Sequence, residues 1–116
     1  MTYQIDIMVM SGVDDGMLHS YASANGDGAQ ENGAWTLSIG RRDDNDLCLR
    51  YDTYSSRHHA RLHFRDGRWW LEDCDSRNGT FVEDVEEDAR VIGTIPLEHG
   101  QLFRVGRTWL RIQEGG

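Results

Sequence analysis

Residues 56–73 read Ser-Arg-His-His-Ala-Arg-Leu-His-Phe-Arg-Asp-Gly-Arg-Trp-Trp-Leu-Glu-Asp. Within them Ala60, Leu62 and Phe64 alternate with Arg61, His63 and Arg65, and beyond Asp66-Gly67 the alternation resumes with Trp69, Leu71 and Asp73. Successive side chains on a strand point to opposite faces, so a period of two marks strands with one dry and one wet side. Asp-Gly between the runs supplies the positive φ that a tight turn requires.

The same period recurs outward from this stretch. Ile5, Ile7 and Val9 alternate with more polar neighbours, as do Trp35, Leu37 and Ile39, then Leu47 and Leu49, then Phe103 and Val105, then Leu110 and Ile112. Asp14-Asp15-Gly16, Asn25-Gly26-Asp27-Gly28, Asn78-Gly79 and His99-Gly100 punctuate the intervals as turns. Short strands at such spacing predict an all-β fold, an antiparallel β-sandwich. Two segments break the pattern. Residues 22–34 are small and polar and predict a long mobile loop that packs little. Residues 82–92 place Val82, Val85, Ala89 and Ile92 at helical spacing inside an acidic run, and are read as a solvated acidic loop in preference to a helical turn.

The length of 116 residues and 38% hydrophobic content suit one core, so residues 1–116 are expected to form a single domain. No apolar run approaches a membrane span, and Met1 to Met10 lacks the pattern of a secretory signal, so the expected location is the cytoplasm. Cys48 and Cys74 are too few for a disulfide scaffold and are read as small hydrophobes. The net charge of −8 is unevenly spread. There is no lysine, and eight of the twelve arginines (Arg41, Arg42, Arg50, Arg57, Arg61, Arg65, Arg68, Arg77) fall between positions 41 and 77, matched there by eight carboxylates. The remainder carries the whole negative excess. An acidic chain repels duplex nucleic acid and anionic membrane, whose binding rests on neutralising many phosphates, so neither is an expected partner. A single phosphate needs only a local group of arginines whose planar fork matches its oxygens.

Three clusters sit where strands end: Gly40-Arg41, Ser56-Arg57-His58-His59-Ala60 and Ser76-Arg77-Asn78-Gly79-Thr80. In order and spacing they resemble the forkhead-associated (FHA) domain, whose pattern runs Gly-Arg, Ser-x-x-His, then Ser-x-Asn-Gly-Thr after a strand of the form Trp-x-Leu-x-Asp. Here Gly40 to Leu47 is similar to the family's first loop, Trp69-Trp70-Leu71-Glu72-Asp73 to its central strand and Gly100 to Gly106 to its closing strand. The resemblance covers about residues 35–112.

It implies a module that binds phosphothreonine on a partner protein, a serine/threonine kinase or a kinase substrate, through loops at one end of the sandwich, with no catalysis, cofactor or metal. A phosphothreonine carries about −1.5 to −2 charge and three acceptor oxygens, so its receptor needs several donors and no nearby carboxylate. By similarity Arg41 pairs with the phosphate, Ser56 donates its hydroxyl, Arg57 adds a further donor and Asn78 holds the ligand's main chain. Arg77 stands where the family often has a small hydroxylated residue, and either adds a phosphate contact or points into solvent. Gly40, His59 and Gly79 are read as structural support, glycine permitting positive φ or close backbone approach and the histidine bracing neighbouring loops. The chain also departs from the family after Val82, running on through an acidic stretch, Glu83 to Ala89. That stretch is expected to favour basic residues flanking the phosphothreonine.

Rival chemistries fit less well. His58, His59, His63 and Cys74 are possible zinc ligands by type, but on a strand His59 and His63 lie about 13 Å apart at ~3.3 Å per residue. A hydrolase built on Ser56 and His59 lacks the Gly-x-Ser-x-Gly elbow and any marked oxyanion hole. A scaffold or self-association domain of the same fold, independent of phosphate, is the alternative reading; the presence of Arg41, Ser56 and Asn78 argues against it.

Overall fold

The computed structural model describes residues 2–98 and 100–113. Its strands are β1 (Gln4–Val9), β2 (Leu18–Ala22), β3 (Ala29–Glu31), β4 (Ala34–Gly40), β5 (Leu47–Cys48), β6 (Ala60–Arg65), β7 (Arg68–Asp73), β8 (Thr80–Val82), β9 (Ala89–Arg90), β10 (Thr94–Leu97), β11 (Leu102–Val105) and β12 (Thr108–Gln113). One sheet runs β2-β1-β12-β11-β8-β9; the other runs β10-β7-β6-β4-β3, with β5 pairing in parallel to β4. All other pairings are antiparallel, and the sheets close on one core.

The alternation in the sequence decides which face is inside. Ile5, Ile7, Val9, Phe103, Val105 and Leu110 from the first sheet meet Trp35, Leu37, Ile39, Leu62 and Leu71 from the second, all of them buried. The β6–β7 hairpin turns on Asp66 (φ 54°) and Gly67 (φ 76°), with Arg65 opposite Arg68, as a two-residue loop with two positive φ values demands. Pro96 sits on β10, at the edge of its sheet, where a missing N–H costs no ladder bond.

Register places the loops. Trp35 pairs with Phe64, and Phe64 with Trp69, so these rings lie at one end of the sandwich. Tyr3 stacks on Trp35 with ring centroids 5.8 Å apart, and Phe64 and Trp69 meet at 5.1 Å. Gly40, Ala60 and Asp73 mark the opposite end, from which the segments 41–46, 49–59 and 74–79 project.

Residues 22–34 depart from the expected mobile loop. Ala22 closes β2, Ser23–Asn25 form a 3-10 turn, and Ala29–Glu31 add a strand to β4. Trp35 holds the segment down by donating its indole N–H to the Asp27 carbonyl at 2.8 Å, and Gly28 lies so close to that indole that a Cβ would meet Nε1 at 2.7 Å. An edge strand built from small polar residues has no apolar stripe to betray it. The helical spacing in residues 82–92 is not realised: Val82 is in the core, while Val85 and Ile92 are 97% and 84% exposed. Glu83–Asp88 forms the loop between β8 and β9. Because Thr80 pairs with Val105 and Val82 with Phe103, this acidic loop emerges at the aromatic end, away from the segments 41–46, 49–59 and 74–79. Its expected effect on residues flanking a phosphothreonine therefore has no geometric support. The His99 part of the His99-Gly100 turn lies outside the described residues.

Trp35 is fully buried and ties two strands and a loop together. Trp35→Ala should lower stability by about 3–5 kcal/mol. Urea unfolding checks it, the midpoint falling with an unchanged slope.

Candidate functional site

The three projecting segments are locked to one another chiefly through main chain. The Arg41 N–H donates to the Ser56 carbonyl at 3.0 Å and the Arg42 N–H to the Arg57 carbonyl at 3.3 Å, so segments 41–42 and 56–57 run side by side. Asn45, only 7% exposed, donates its amide to the carbonyls of Arg42 (2.8 Å) and Arg57 (2.7 Å). Gly40 is required by close approach: a Cβ there would lie 2.2 Å from the Arg57 carbonyl oxygen.

His59 joins these two segments to the third. Its N–H donates to the Ile39 carbonyl, and its carbonyl accepts from Cys74 N–H, both at 2.9 Å. In the ring, Nδ1 accepts from the Ser56 N–H at 2.9 Å, so Nε2 carries the proton and donates to the Gly79 carbonyl at 2.9 Å. The side chain is wholly buried. Burial pushes the imidazole below its ordinary value of 6.5, outweighing the Gly79 hydrogen bond and the Asp73 and Asp52 charges that pull it up.

The third segment is organised by Asp73. Its carboxylate accepts the hydroxyls of Ser76 and Thr80 and the Ser76 N–H. Burial pushes this carboxyl up, but those hydrogen bonds prevail and hold it below the usual carboxylate value of 3.8. Ser76 in turn accepts from the Gly79 N–H at 3.1 Å, and Gly79 takes φ 86°. On the other side Asp52 accepts from Tyr54 N–H, Arg107 N–H and the Thr108 hydroxyl, tying segment 49–59 to the β11–β12 turn.

This framework presents a shallow depression lined by Arg41, Thr53, Tyr54, Ser55, Ser56, Arg57, His58, Arg77 and Asn78. Arg41, Ser56, Arg57, Arg77 and Asn78 are thus brought together, and Gly40, His59 and Gly79 lie in the framework beneath. The lining contains no carboxylate. Among the described residues the guanidiniums of Arg41, Arg57 and Arg77 enter no ion pair. Asp44 is taken up by His58 at 3.0 Å, which holds its carboxyl below the usual range. Ser56 Oγ accepts from the Arg77 N–H at 3.1 Å, which leaves its hydroxyl proton free to be donated outward. Asn78 donates one amide N–H to the Tyr54 carbonyl at 2.9 Å, which orients the side chain and leaves its second N–H and its Oδ1 to a ligand main chain.

The residues that sequence reasoning missed are those that hold the site: Asn45, Asp52, Asp73 and Tyr54. Asn45 carried a signal within Asp-Asp-Asn-Asp, a composition that favours side-chain to main-chain turns, and Asp73 closes the Trp-x-Leu-x-Asp stretch, though neither was read as holding the loops. Of the possible zinc ligands the three histidines are otherwise engaged: His58 by Asp44, His59 by Ser56 and Gly79, and His63 by the Thr36 hydroxyl (2.7 Å) and Glu72 (2.9 Å). Nor does His59 touch the Ser56 hydroxyl; it accepts the main-chain N–H.

A loop-borne depression rich in hydrogen-bond donors, with no carboxylate in its lining, thus stands at one end of a two-sheet sandwich. The FHA domain model matches residues 37–106. The chain belongs to the FHA domain family. It is 37% identical over 75 residues to the FHA domain-containing protein FhaB of Mycobacterium tuberculosis, a match covering 65% of this chain and 45% of that protein. The chain therefore matches less than half the length of that relative. Among solved structures it resembles one from a study of phosphothreonine-dependent FHA domain interactions (23% identity, TM-score 0.69, 98% of this chain and 99% of that one). It also resembles Mycobacterium tuberculosis EmbR in complex with a low-affinity phosphopeptide (22% identity, TM-score 0.68, 95% of this chain and 24% of that one). At these identities the structural likeness speaks for the fold.

The lowered His59 value sets a pH dependence. Above about pH 6.5 folded and unfolded chains both hold neutral imidazole; below it the unfolded chain takes up a proton that the folded one resists. Stability is therefore present above the unfolded value and declines as pH falls toward the lowered folded one. Asp73 acts in the same direction at lower pH. Urea unfolding should show level stability at neutral pH and a decline beginning near pH 6.5, while nitrogen-15 NMR should show the Nε2–H tautomer of His59 persisting below that point.

Proposed function

We propose that this chain is a phosphothreonine-binding module that attaches to a phosphorylated partner and catalyses nothing itself. The observation that carries the reading is the convergence of Arg41, Arg57 and Arg77, none of them in an ion pair among the described residues, with the free Ser56 hydroxyl proton in a depression whose lining holds no carboxylate. Membership of the FHA family and the likeness to structures concerned with phosphothreonine and phosphopeptide binding support it.

In this reading Arg41 pairs with the phosphate, Ser56 donates its hydroxyl and Arg57 adds a second guanidinium. Asn78 accepts a ligand main-chain N–H through Oδ1 and fixes an extended peptide across the loops. Arg77 supplies the main-chain N–H that orients Ser56 and turns its side chain to the same depression. Because the supporting main chain is already tied down, little ordering cost falls on binding. Threonine is preferred to serine. A methyl pocket adds only about a kilocalorie by apolar burial, so the preference rests also on holding one rotamer. The partner is a serine/threonine kinase or a protein that such a kinase phosphorylates. Against a hydrolase built on Ser56 and His59 stands His59 Nδ1, which accepts the Ser56 main-chain N–H and not its hydroxyl.

Titration with a phosphothreonine peptide library by calorimetry should give phosphate-dependent binding. Arg41→Ala should weaken it roughly ten- to hundred-fold, the effect of losing a charged hydrogen bond of about 1.5–3 kcal/mol, with the melting temperature unchanged. Equal binding of unphosphorylated and phosphorylated peptide by the folded domain would instead support the phosphate-independent scaffold.

A further inference from the structure

The outer face of the first sheet takes no part in the loop-borne depression, and its composition departs from that of this acidic chain. Ile5, Ile7, Val9, Phe103, Val105 and Leu110 point into the core from its strands, so the residues between them point outward. Register aligns these in two neighbouring rows. One runs Arg90, Phe81, Arg104 and Trp109 across β9, β8, β11 and β12. The next runs Leu102, Arg111, Met8 and Leu18 across β11, β12, β1 and β2.

Neither row contains a carboxylate, and Asp6, the adjoining outward position on β1, accepts the Ser20 hydroxyl at 2.6 Å. Arg90, Arg104 and Arg111 enter no ion pair among the described residues. The Arg104 guanidinium is held in place: it lies 4.2 Å from the Phe81 ring centroid and 5.6 Å from that of Trp109, and it donates to the Gly106 carbonyl at 2.8 Å. Stacking between rings keeps the charge flat against the sheet with apolar surface on either side. At the far end of the second row Leu18 is 47% exposed. A face that joins three arginines to aromatic and aliphatic side chains fits an occupant that is both acidic and apolar.

The chain carries such a segment at the corner of this same face. Residues 83–88, between β8 and β9, read Glu-Asp-Val-Glu-Glu-Asp, and Val85 in their midst is 97% exposed. The base of the loop is tied down, the Glu83 N–H donating to the Leu102 carbonyl at 2.9 Å and the Gln101 amide to the Glu83 carbonyl at 3.0 Å. None of its carboxylates joins an ion pair among the described residues. Acidic and basic surfaces that adjoin in one chain, and do not neutralise each other there, are complementary between two chains. The loop springs from the strands that carry Phe81 and Arg90. Two copies related by a twofold axis therefore set each loop on the other's face, and such a contact closes on itself.

We infer that this face is a self-association surface whose occupant is the Glu83–Asp88 loop of a second copy. Its carboxylates pair with Arg90, Arg104 and Arg111, and Val85 packs among the apolar side chains of the two rows. The contact uses none of the residues that line the depression and is independent of what binds there.

Sedimentation velocity on the whole chain, at concentrations rising to about 1 mM, should show monomer passing to dimer and no further. The NMR signals of the Trp109 indole and the Val85 methyls should shift along the same curve. Arg111→Glu on the face, or Glu86→Arg with Glu87→Arg in the loop, should each weaken the dimer about ten-fold or more, because like charges then meet. Arg90→Glu, at the exposed end of the first row, is a second face variant with the same expectation should Arg111→Glu lower the melting temperature. Mixed in equal amounts, a face variant and the loop variant should associate more tightly than either does alone, since each reversed charge then meets its opposite. A chain that stays monomeric throughout, a dimer indifferent to the face and loop variants, or variants that do not restore each other's association overturns the proposed dimer.

Discussion

A neutral imidazole, shut away from water and bonded at both nitrogens, holds this end of the sandwich together. His59 receives the Ser56 N–H on one side, gives its own proton to Gly79 on the other, and is stitched by its main chain to Ile39 and Cys74. Three loops from different parts of the chain are thereby set at fixed separation. Replacement by an apolar residue would strand the buried Gly79 carbonyl, at a cost of about 1–3 kcal/mol, and free the part-buried Ser56 N–H. The same burial keeps the ring neutral at physiological pH, so the brace stays uncharged beneath a surface crowded with arginines.

Above this brace the ionic logic reverses. The framework engages its carboxylates internally, Asp73 with Ser76 and Thr80 and Asp52 with Tyr54, Arg107 and Thr108, while Asn45 gives its amide to two carbonyls and keeps a buried Oδ1 without a partner among the described residues. The arginines at the rim are left without ion pairs among the described residues, although the chain has twenty carboxylates against twelve arginines. Acidic residues close to the site are diverted, as Asp44 is to His58, or sit elsewhere, as the Glu83–Asp88 loop does at the aromatic end. A receptor for a concentrated anion needs this separation, because a carboxylate within reach would compete for the same donors.

Much of the fold was legible in the sequence where packing is one-sided. Period-two alternation found β1, β4, β6, β7, β11 and β12, whose inward residues form the core. It failed for β2, β3, β9 and β10, edge or near-edge strands without a clean apolar stripe. It also proposed a loose loop at residues 22–34, where order comes from backbone pairing to β4, the Trp35 indole hydrogen bond and bonds of Ser23 to Tyr3 and of Gly28 to Asp46. Helical spacing of Val82, Val85, Ala89 and Ile92 was coincidence, since Val82 belongs to a strand and Val85 and Ile92 are in solvent.

The residues that line the depression were legible as a group, because they stand in short motifs at strand ends. Arg41, Ser56, Arg57, Arg77 and Asn78 stand in short motifs whose chemistry can be read one residue at a time. What the sequence by itself determined was therefore the sandwich, the donor types and the loops that bear them. Only the tertiary structure decided that His59 is a brace bonded at both nitrogens, that Gly40 is there for the Arg57 carbonyl, that Asn45 clamps two arginine-bearing segments, and that the acidic loop faces away. These are matters of register and of contacts between segments distant in the chain, and one-dimensional periodicity carries no information about which loop ends share an end of the sandwich.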